Sequence, residues 1–202
     1  MSALDALHAD KLRAAVDPAI IGREIIVLQE TTSTNDSILE RVSPSMREGL
    51  VVFAERQTAG RGQRSNVWES AAGKGIWFSI LVKPKIDIRE SPRLAEWAAR
   101  TVAETISKEF ALATTVKLPN DVILAGKKVG GVLVEMRAQK NAPHIAIVGI
   151  GVNVNHAPQD FSGDLRSRAI SLAIALEREV DRHQFAVALL KNLDRTYAEA
   201  FG

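Results

Sequence analysis

With 202 residues and 46% hydrophobic content, the chain has the size and composition of one globular domain, which we place over residues 1–202. Its formal net charge of +2 at pH 7 does not indicate a dedicated nucleic-acid-binding protein. The absence of cysteine excludes disulfides, thiolate metal ligands and cysteine nucleophiles, and the four histidines are too scattered to predict a metal site. Because no apolar run is long enough to span a membrane and no secretory signal is recognisable, we expect a cytoplasmic protein.

The first 82 residues are predicted to contain an N-terminal helix and three strands. Leu4, Leu7 and Leu12 lie near helical spacing and predict a helix within residues 3–16. Apolar runs predict the strands at residues 24–29, 49–55 and 76–82.

A polar segment, Thr31 to Asp36, follows the first strand and precedes another helical pattern. Ser33 or Thr34 suits the N-cap position, and Asp36 stands where a capping box places its acid. Free N–H groups at a helix start also bind polar ligand groups. Capping and ligand binding are both open interpretations of this segment.

The stretch from Glu55 to Trp77 joins two predicted strands and is rich in glycine and basic residues. These are Gly60, Gly62, Gly73 and Gly75, with Arg61, Arg64 and Lys74 between them and Trp68 in the middle. Glycine lets backbone N–H groups approach an anion, and arginine offers a fork of donors to phosphate or carboxylate. The alternative is a solvated surface loop whose glycines only make turns. The stretch is not a Walker phosphate-binding loop, because that motif is absent.

The second half of the chain predicts two long helices and a set of short strands. Ser91 is the predicted N-cap of the first helix, with Pro92 in its first turn, and Asp181 is the predicted cap of the last helix. Apolar residues about four apart predict their buried faces: Leu94, Ala98, Val102, Ile106 and Phe110 in the first, and Phe185, Leu189, Leu193 and Tyr197 in the last. Strands are predicted at residues 114–117, 122–124, 129–136 and 144–155, and a short helix at residues 168–176.

The order of these elements predicts an α+β domain with a mixed, mainly antiparallel sheet and helices on one face. Several strands are joined by short turns, and long helices are few. The chain lacks a regular βαβ array and a G-x-G-x-x-G motif at a strand-to-helix turn, which disfavours a dinucleotide-binding fold.

Four motifs, in this order and at these spacings, together resemble the biotin–protein ligases, also called biotin–[acetyl-CoA-carboxylase] ligases. The motifs are T-S-T-N-D (Thr32 to Asp36), Q-T-A-G-R-G (Gln57 to Gly62), K-L-P-N-D with the following lysines and glycines (Lys117 to Glu135), and V-G-I-G-V-N-V-N (Val148 to Asn155). Each motif alone is weak, but four in register are specific. The resemblance implies the class II synthetase-like biotin/lipoate ligase fold.

The resemblance also implies a two-step reaction. Biotin and Mg²⁺-ATP would give biotinyl-5′-AMP and pyrophosphate, and a lysine of a biotin carboxyl carrier protein or domain would then attack the adenylate. ATP, Mg²⁺ and biotin are therefore the expected small molecules, without a protein metal site. We expect neither a nucleic acid nor a membrane as partner, and an exposed strand edge would permit a homodimer.

Matching the family motifs residue by residue implies three catalytic residues and a biotin site. Lys128 matches the lysine that bridges carboxylate and phosphate, Arg61 matches the loop arginine that meets both, and Asp121 matches the aspartate near the incoming lysine amine. The residues expected to bind biotin are Ser33, Thr34, Asn35, Gln57, Gly60, Arg61, Lys128, Gly130 and Gly131.

The same matching implies a nucleotide site. Trp68 matches the tryptophan near the adenine, and Asn153 matches the asparagine near the nucleotide and its metal. The residues expected to contact the nucleotide are Arg61, Gln63, Arg64, Trp68, Lys117, Asn120, Lys128 and Asn153. We also expect the loop over residues 58–67 to be mobile without ligand and to close over the adenylate, which would exclude water from a hydrolysable anhydride.

The sequence departs from the family pattern at three positions. We also expect its set of domains to differ from that of some relatives. Gln63 and Asn66 stand where basic residues are usual, so the adenylate should be held less tightly, and Leu118 replaces the tryptophan of K-W-P-N-D. We expect neither the N-terminal DNA-binding domain nor the C-terminal SH3-like barrel of some relatives. Two alternatives stay open: a lipoate or octanoate ligase or transferase of the same fold, and a biotin-binding module with poor turnover.

Overall fold

A computed structural model of the chain describes residues 6–43, 46–140 and 143–202. The strands are β1 (Glu24–Thr31), β2 (Leu50–Gln57), β3 (Gly75–Val82), β4 (Thr114–Lys117), β5 (Asp121–Leu124), β6 (Lys127–Arg137) and β7 (Ile145–Asn153). The α-helices are α1 (Ala9–Ala15), α2 (Thr34–Leu39), α3 (Ser91–Phe110), α4 (Leu165–Arg168), α5 (Leu172–Leu176) and α6 (Arg182–Phe201). Three short 3₁₀ turns accompany them, at Gln63–Ser65, Ile88–Glu90 and Pro158–Asp160.

In the described residues, the strands form one seven-stranded sheet in the order β1-β2-β3-β7-β6-β5-β4. Strands β1 and β2 pair in parallel, and all other neighbours are antiparallel. The prediction of a mixed, mainly antiparallel sheet is therefore confirmed. Strands β1 and β2 can be parallel because α2 connects the end of β1 to the start of β2. The antiparallel neighbours β4, β5 and β6 are instead joined by tight turns.

The two long helices pack on one face of the sheet and cover the main core. Their predicted apolar stripes lie in that core, with Leu94, Ala98, Val102 and Ile106 of α3 and Phe185, Leu189, Leu193 and Tyr197 of α6 buried. Such a stripe is what period-3.6 apolar spacing produces when one helix face meets a sheet. Within the described residues, no helix is long and apolar enough to cross a membrane.

The short helix α2 lies on the opposite face of the sheet, so the expectation of helices on one face is wrong for α2, whereas α1 and α5 contribute to the same core as the long helices. Ile38 of α2 packs with Leu50, Val52, Leu81 and Ile147 in a second, smaller core. Leu50 and Val52 belong to β2, and their neighbours in the strand face α3 and α6 instead. Successive residues of a strand point to opposite faces of the sheet. This helix sets the face on which the candidate site lies.

Three predicted helices differ in their bounds from those observed. The long helix α3 has Glu90 rather than Ser91 as its N-cap, because a 3₁₀ turn capped by Asp87 runs directly into it. The single helix predicted at residues 168–176 is two helices, α4 and α5. They are separated because Ala169 forms a parallel bridge with Lys128 of β6 and so leaves the helical conformation. The N-terminal helix spans Ala9–Ala15, and Leu4 lies outside the described residues.

A buried ion pair joins α6 to the strands that flank the candidate site. Arg182 is 0% exposed and Glu55 is 2% exposed. Arg182 Nη1 donates to Glu55 Oε2 at 2.9 Å and to the carbonyl oxygen of Gly75 at 3.1 Å. The backbone N–H of Leu7 donates to Glu55 Oε1 at 2.8 Å. One carboxylate thus ties the segment before α1, β2 and α6 together.

His156, just after β7, is expected to make stability depend on pH. It is 4% exposed, stacks on Phe161 with ring centroids 4.9 Å apart, and burial lowers its pKa to about 4. The unfolded chain takes up the proton near pH 6.5, whereas the folded chain takes it up near pH 4. The contribution to stability is therefore complete above about pH 6.5 and is lost as the pH falls towards 4.

When the pH falls from 7 to 5, the free energy of unfolding should decrease in both proteins. We expect the decrease to be about 2 kcal/mol smaller in His156→Phe than in the unchanged protein. Urea unfolding at the two pH values measures this difference, and groups that titrate in both proteins cancel from it. Equal losses in both proteins would mean that His156 is readily protonated in the folded state.

Candidate active site

The candidate site lies over a bare part of the sheet, on the face that carries α2. Cross-strand pairing aligns Trp77, Gly151 and Gly131 in one row and sets Gly149 beside Ser79 in the next. Directly opposed residues in a sheet share a face, so three glycines leave the backbone uncovered there. We call Gly131, Gly149 and Gly151 the glycine trough.

A hydrogen-bonded set of neutral polar side chains forms one wall of the site. The Thr34 N–H donates to Gln57 Oε1 at 2.8 Å, and the Thr34 and Ser79 hydroxyls are 2.7 Å apart. Ser79 Oγ donates to Asn35 Oδ1 at 2.5 Å, and Gln57 Nε2 donates to Ser70 Oγ at 2.7 Å. Each member restricts the rotamer of the next, so this wall is held in place before any ligand binds.

The start of α2 binds another side chain instead of forming the expected capping box. Ser33 is the N-cap residue but makes no side-chain capping bond, so the predicted box with Asp36 is wrong. The Asp36 carboxylate accepts two hydrogen bonds from Arg61, each 2.7 Å long. A bidentate bond to guanidinium is stronger than a bond to a backbone N–H, and it turns the carboxylate towards the site.

The arginine loop, which we define as residues 58–74 between β2 and β3, folds back over the trough. The Trp68 N–H donates to the carbonyl oxygen of Gly60 at 2.9 Å, and the Gly62 N–H donates to that of Asn66 at 2.7 Å. Arg61 and Val67 form an isolated antiparallel bridge. These bonds close the loop on itself, and its mobility without ligand stays a prediction.

The indole of Trp68 lies across two residues of the glycine trough. A methyl group built at Gly151 would be 2.6 Å from the indole Nε1, and one at Gly131 would be 3.0 Å from ring atom Cζ3. The indole Nε1 is buried and has no hydrogen-bond partner in the described part of the chain. The cavity that remains is about 40 Å³, which holds a few water molecules at most. A larger ligand therefore requires movement of Trp68 or of its loop.

Lys128 enters the site from β6, two residues after a tight turn. Ala125 and Gly126 have positive φ angles of 48° and 75° and turn the chain into β6. The Lys128 ammonium is 2.6 Å from Asp121 Oδ1 and 5.2 Å from the centroid of the Trp68 ring. The lysine is thus fixed by a carboxylate on one side and an aromatic face on the other.

Arg61 and Lys128 line the same cleft, and Arg61 is also held by two carboxylates. Arg61 Nη2 is 2.7 Å from Asp36 Oδ1 and 3.5 Å from Glu135 Oε2. The hydrogen bonds from Arg61 lower the pKa of Asp36, so this carboxylate stays ionised at neutral pH. Both cations have carboxylate partners, so an anion that enters the cleft competes with these partners for Arg61 and Lys128.

Most of the predicted site residues converge on this cleft. Its lining includes, from the predicted set, Ser33, Thr34, Asn35, Gln57, Arg61, Gln63, Trp68, Asn120, Lys128 and Gly131. They come from α2, β2, the arginine loop, the β4–β5 turn and β6, which are distant in sequence. The fold therefore brings together residues from three of the motifs.

Three predicted residues lie behind the lining and support it. Asp121 pairs with Lys128, and it is the direct cross-strand neighbour of Gly131. Gly60 accepts the Trp68 N–H, as described above, and a side chain there would meet the Trp68 carbonyl oxygen at 2.4 Å. Gly130 faces the other side of β6, towards Val122.

Three predicted nucleotide contacts lie outside the lining. Asn153 is buried, and its amide donates to the carbonyl oxygen of Ile170 at 3.2 Å. Arg64, which has a positive φ of 57°, and Lys117 are both exposed. Their contacts with a nucleotide stay predictions.

Several site residues were missed by the sequence analysis. Asp36 and Glu135 bind Arg61, Ser79 joins the polar wall, and Gly149 and Gly151 form the trough floor. The glycine pair stood in the G-I-G segment with period-2 spacing, which indicates a shared face, so that signal was available. Glu135 and Ser79 carry no local signal, because only the cross-strand register brings them to the site.

A protein-built metal site is not found in the described part of the chain. No three His, Cys, Asp or Glu residues there are grouped so that they could hold a metal ion. Mg²⁺ is usually held through substrate phosphates and waters with only one or two protein carboxylates. The residues present therefore fit a magnesium ion that enters with a nucleotide.

Comparison with known proteins identifies the family. A profile of the Biotin/lipoate A/B protein ligase family matches residues 27–153, which include every strand of the trough. The chain belongs to this family. The match ends at Asn153, the last residue of β7, so α5 and α6 lie beyond it.

Biotin/lipoate ligase family members with curated names include two that resemble the chain over most of its length. The bifunctional ligase/repressor BirA of Bacillus subtilis (strain 168) is 34% identical over 193 residues, covering 96% of this chain and 59% of BirA. The biotin–[acetyl-CoA-carboxylase] ligase of Mycobacterium tuberculosis is 31% identical over 177 residues, covering 85% of this chain and 63% of that ligase. The chain thus spans less than two thirds of the length of these relatives.

Solved structures of family members share the fold. Biotin protein ligase from Aquifex aeolicus in complex with biotin and ATP is 28% identical, with a TM-score of 0.73, over 89% of this chain and 73% of that chain. A mutant form of the same Aquifex ligase in complex with biotin is 30% identical, with a TM-score of 0.71, over 88% and 71% of the two chains. The expected biotin/lipoate ligase fold is therefore confirmed.

Proposed function

We propose that the chain is an ATP-dependent biotin–protein ligase, which forms biotinyl-5′-AMP from biotin and ATP and transfers biotin to a lysine of a carrier domain. The observation that supports this most directly is that Lys128 and Arg61 line one cleft over the glycine trough. Similar family members are named biotin ligases, and one was solved with biotin and ATP.

The first step requires two anions to approach each other. The biotin carboxylate attacks the α-phosphorus of ATP, the bond to the β-phosphate oxygen breaks, and pyrophosphate leaves. The repulsion between carboxylate and phosphate is strong in a partly dry site. The ammonium of Lys128 and the guanidinium of Arg61 supply fixed positive charge where negative charge concentrates, which lowers this barrier.

The polar wall suits the uncharged head of biotin. We assign Ser33, Thr34, Asn35 and Gln57 to the ureido ring, because hydroxyls and amides both donate and accept hydrogen bonds without placing a charge beside a neutral group. Gly131 is assigned to the acyl chain, where a bare backbone leaves room for methylene groups.

The nucleotide is assigned to the side of the cleft under the arginine loop. Trp68 offers a flat ring for the adenine, while Gln63 and Asn120 line the cleft nearby. Mg²⁺, bound through the phosphates, would neutralise part of their charge.

In the second step, the amine of the carrier lysine attacks the acyl carbon, the bond from carbon to the phosphate oxygen breaks, and AMP leaves. The amine must be neutral to attack. Asp121 is assigned to accept its proton, because its carboxylate sits 2.6 Å from Lys128 at the edge of the cleft.

The position of Leu118 gives no support to lipoate or octanoate over biotin. This residue replaces a family tryptophan, and a changed acyl pocket at that position would have slightly favoured another acid. Its side chain is 58% exposed, and it is not among the residues that line the cleft. The substitution therefore changes no side chain in the lining of the ligand-free cleft.

We further propose that the partner is a biotin carboxyl carrier protein or domain and that the reaction takes place in the cytoplasm, where ATP is available. The edge strands of the sheet are β1 and β4, and homodimerisation through either edge stays a prediction. So does the division of the chain into a single catalytic domain.

Pyrophosphate release tests this proposal. We expect biotin with Mg²⁺-ATP to raise pyrophosphate release at least tenfold over the rate without acid, and lipoate and octanoate to have little effect. Biotin methyl ester, which lacks the attacking carboxylate, is the matched control. Stimulation by lipoate or octanoate alone would assign the chain to the other branch of the family. Tight biotin binding without pyrophosphate release would make it a binding module.

A further inference from the structure

The guanidinium of Arg61, assigned above to the acid and the phosphate, is already bound by the protein's own carboxylates. Asp36 Oδ1 and Oδ2 accept from Nη2 and Nη1 at 2.7 Å each. Glu135 Oε2 lies 3.5 Å from Nη2. The three side chains are each about one third exposed, so an incoming ligand can reach them.

The two carboxylates come from rigid elements, whereas the arginine comes from a loop. Asp36 lies on α2 and Glu135 on β6, and both elements pack into the body of the fold. Arg61 lies in the arginine loop, four residues beyond the end of β2. The pairs therefore fasten the loop to the body of the protein rather than positioning the carboxylates.

Glu135 also connects Arg61 to the polar wall. The oxygen that faces Arg61, Oε2, accepts a hydrogen bond from Asn35 Nδ2 at 2.6 Å. Asn35 Oδ1 in turn accepts from Ser79. The loop arginine and the proposed biotin head site thus share one chain of hydrogen bonds.

A guanidinium forms its strongest bond to a carboxylate through one planar pair of N–H groups. In the ligand-free protein, Asp36 occupies such a pair. A ligand carboxylate that is to bind through the same Nη1 and Nη2 pair must exchange with Asp36.

We propose that Asp36 and Glu135 form a carboxylate latch, which holds Arg61 and the arginine loop over the cleft without ligand and yields Arg61 to an arriving acid. Asp36 and Glu135 are positioning residues in this scheme, since they act on the ligand through Arg61. The exchange of Asp36 with a ligand acid rests on the proposed function, whereas the fastening of the arginine loop does not. The latch makes the release of Arg61 depend on an anion that can form the same planar pair of hydrogen bonds.

The ligand test compares an acid with its neutral analogue by titration calorimetry. In Asp36→Asn, the competing charge is gone, so we expect biotin to bind about fivefold more tightly, as for the loss of one partly exposed ion pair. Biotin methyl ester should bind equally to both proteins, because it has no carboxylate to exchange. Glu30→Gln is the matched control: it breaks the exposed Glu30–Arg56 pair, 2.9 Å long, away from the cleft.

The loop test needs no ligand. We expect trypsin to cut after Arg61 several times faster in Asp36→Asn than in the unchanged protein or in Glu30→Gln, because the loop is no longer fastened. Glu135→Gln serves as the second variant, should Asp36→Asn lower the melting temperature markedly, and it should open the loop in the same direction.

Each outcome has one meaning. Weaker biotin binding in Asp36→Asn, or an equal gain for the methyl ester, would overturn the exchange, since Asp36 would then prepare Arg61 for the acid. Unchanged cleavage in both variants would overturn the latch itself. If the unchanged protein binds no biotin, the proposed function fails, while the protease result still decides the latch.

Discussion

Replacing Lys128 with methionine is expected to reduce biotin-dependent pyrophosphate release by about a thousandfold or more. The ammonium is the charge best placed to bridge the carboxylate and phosphate, and the loss of one preorganised donor alone costs about a hundredfold to a thousandfold in rate. Methionine keeps most of the side-chain length, so packing against Trp68 changes little. The effect should appear mainly in kcat, because the bridging charge matters most when the two anions meet.

The neighbouring Lys127 provides the matched control. It has the same charge and lies one residue earlier in β6, so its side chain points to the opposite face of the strand. Lys127→Met should retain pyrophosphate release within about twofold. If Lys128→Met kept a tenth or more of the activity, the assignment of Lys128 to the reacting groups would be wrong, whether or not the chain is a biotin ligase.

Replacing Glu55 with alanine is expected to lower the free energy of unfolding by about 3–5 kcal/mol, which is a large part of the stability of a typical domain. The buried Arg182 guanidinium would lose the carboxylate that faces it at 2.9 Å, and the Leu7 N–H would lose its acceptor. Urea denaturation at pH 7, followed by circular dichroism, measures the loss.

Two further proteins make the Glu55 result specific. Glu30→Gln breaks an exposed pair and should change stability by less than about 0.5 kcal/mol. The double replacement Glu55→Leu with Arg182→Leu removes both buried charges and should recover most of the stability lost in Glu55→Ala. A loss below about 1 kcal/mol in Glu55→Ala would show that other polar groups or water balance the charge of Arg182 without Glu55.

The elements that were predictable from sequence are those whose signal is local. Helix α3 shows a continuous apolar stripe, and Asp181 caps α6 as expected, accepting the Gln184 N–H. The β4–β5–β6 turns carry proline and glycine where the chain reverses. Spacing and turn chemistry depend on nearby residues alone, so a single sequence suffices for them.

The elements that were not predictable depend on partners distant in sequence. The face occupied by α2 follows from its contacts with β2, β3 and β7, not from its own short pattern. The break between α4 and α5 depends on the bridge from Ala169 to Lys128. Asp36 fits a capping box locally, yet a guanidinium 25 positions later in the chain binds it instead.

The candidate site was partly predictable for the same reason. Its motifs could be matched one by one, which identified Lys128, Arg61 and the Thr34 segment. The ion pairs between motifs could not be seen, because the partner of Arg61 is decided by loop geometry and strand register. The contacts of Glu135 could be predicted only by knowing that β6 pairs with β7 and that Asn35 packs over β7.

The glycine trough limits how the acid preference of the proposed ligase can change. Main chain rather than side chains forms the floor at positions 131, 149 and 151, and any larger residue there collides with Trp68 or Asn35. Substitution at these positions can only narrow the floor and cannot widen it. A broader or longer acid would have to be accommodated from above, by remodelling the arginine loop, which makes that loop the natural starting point for engineering new acyl labels.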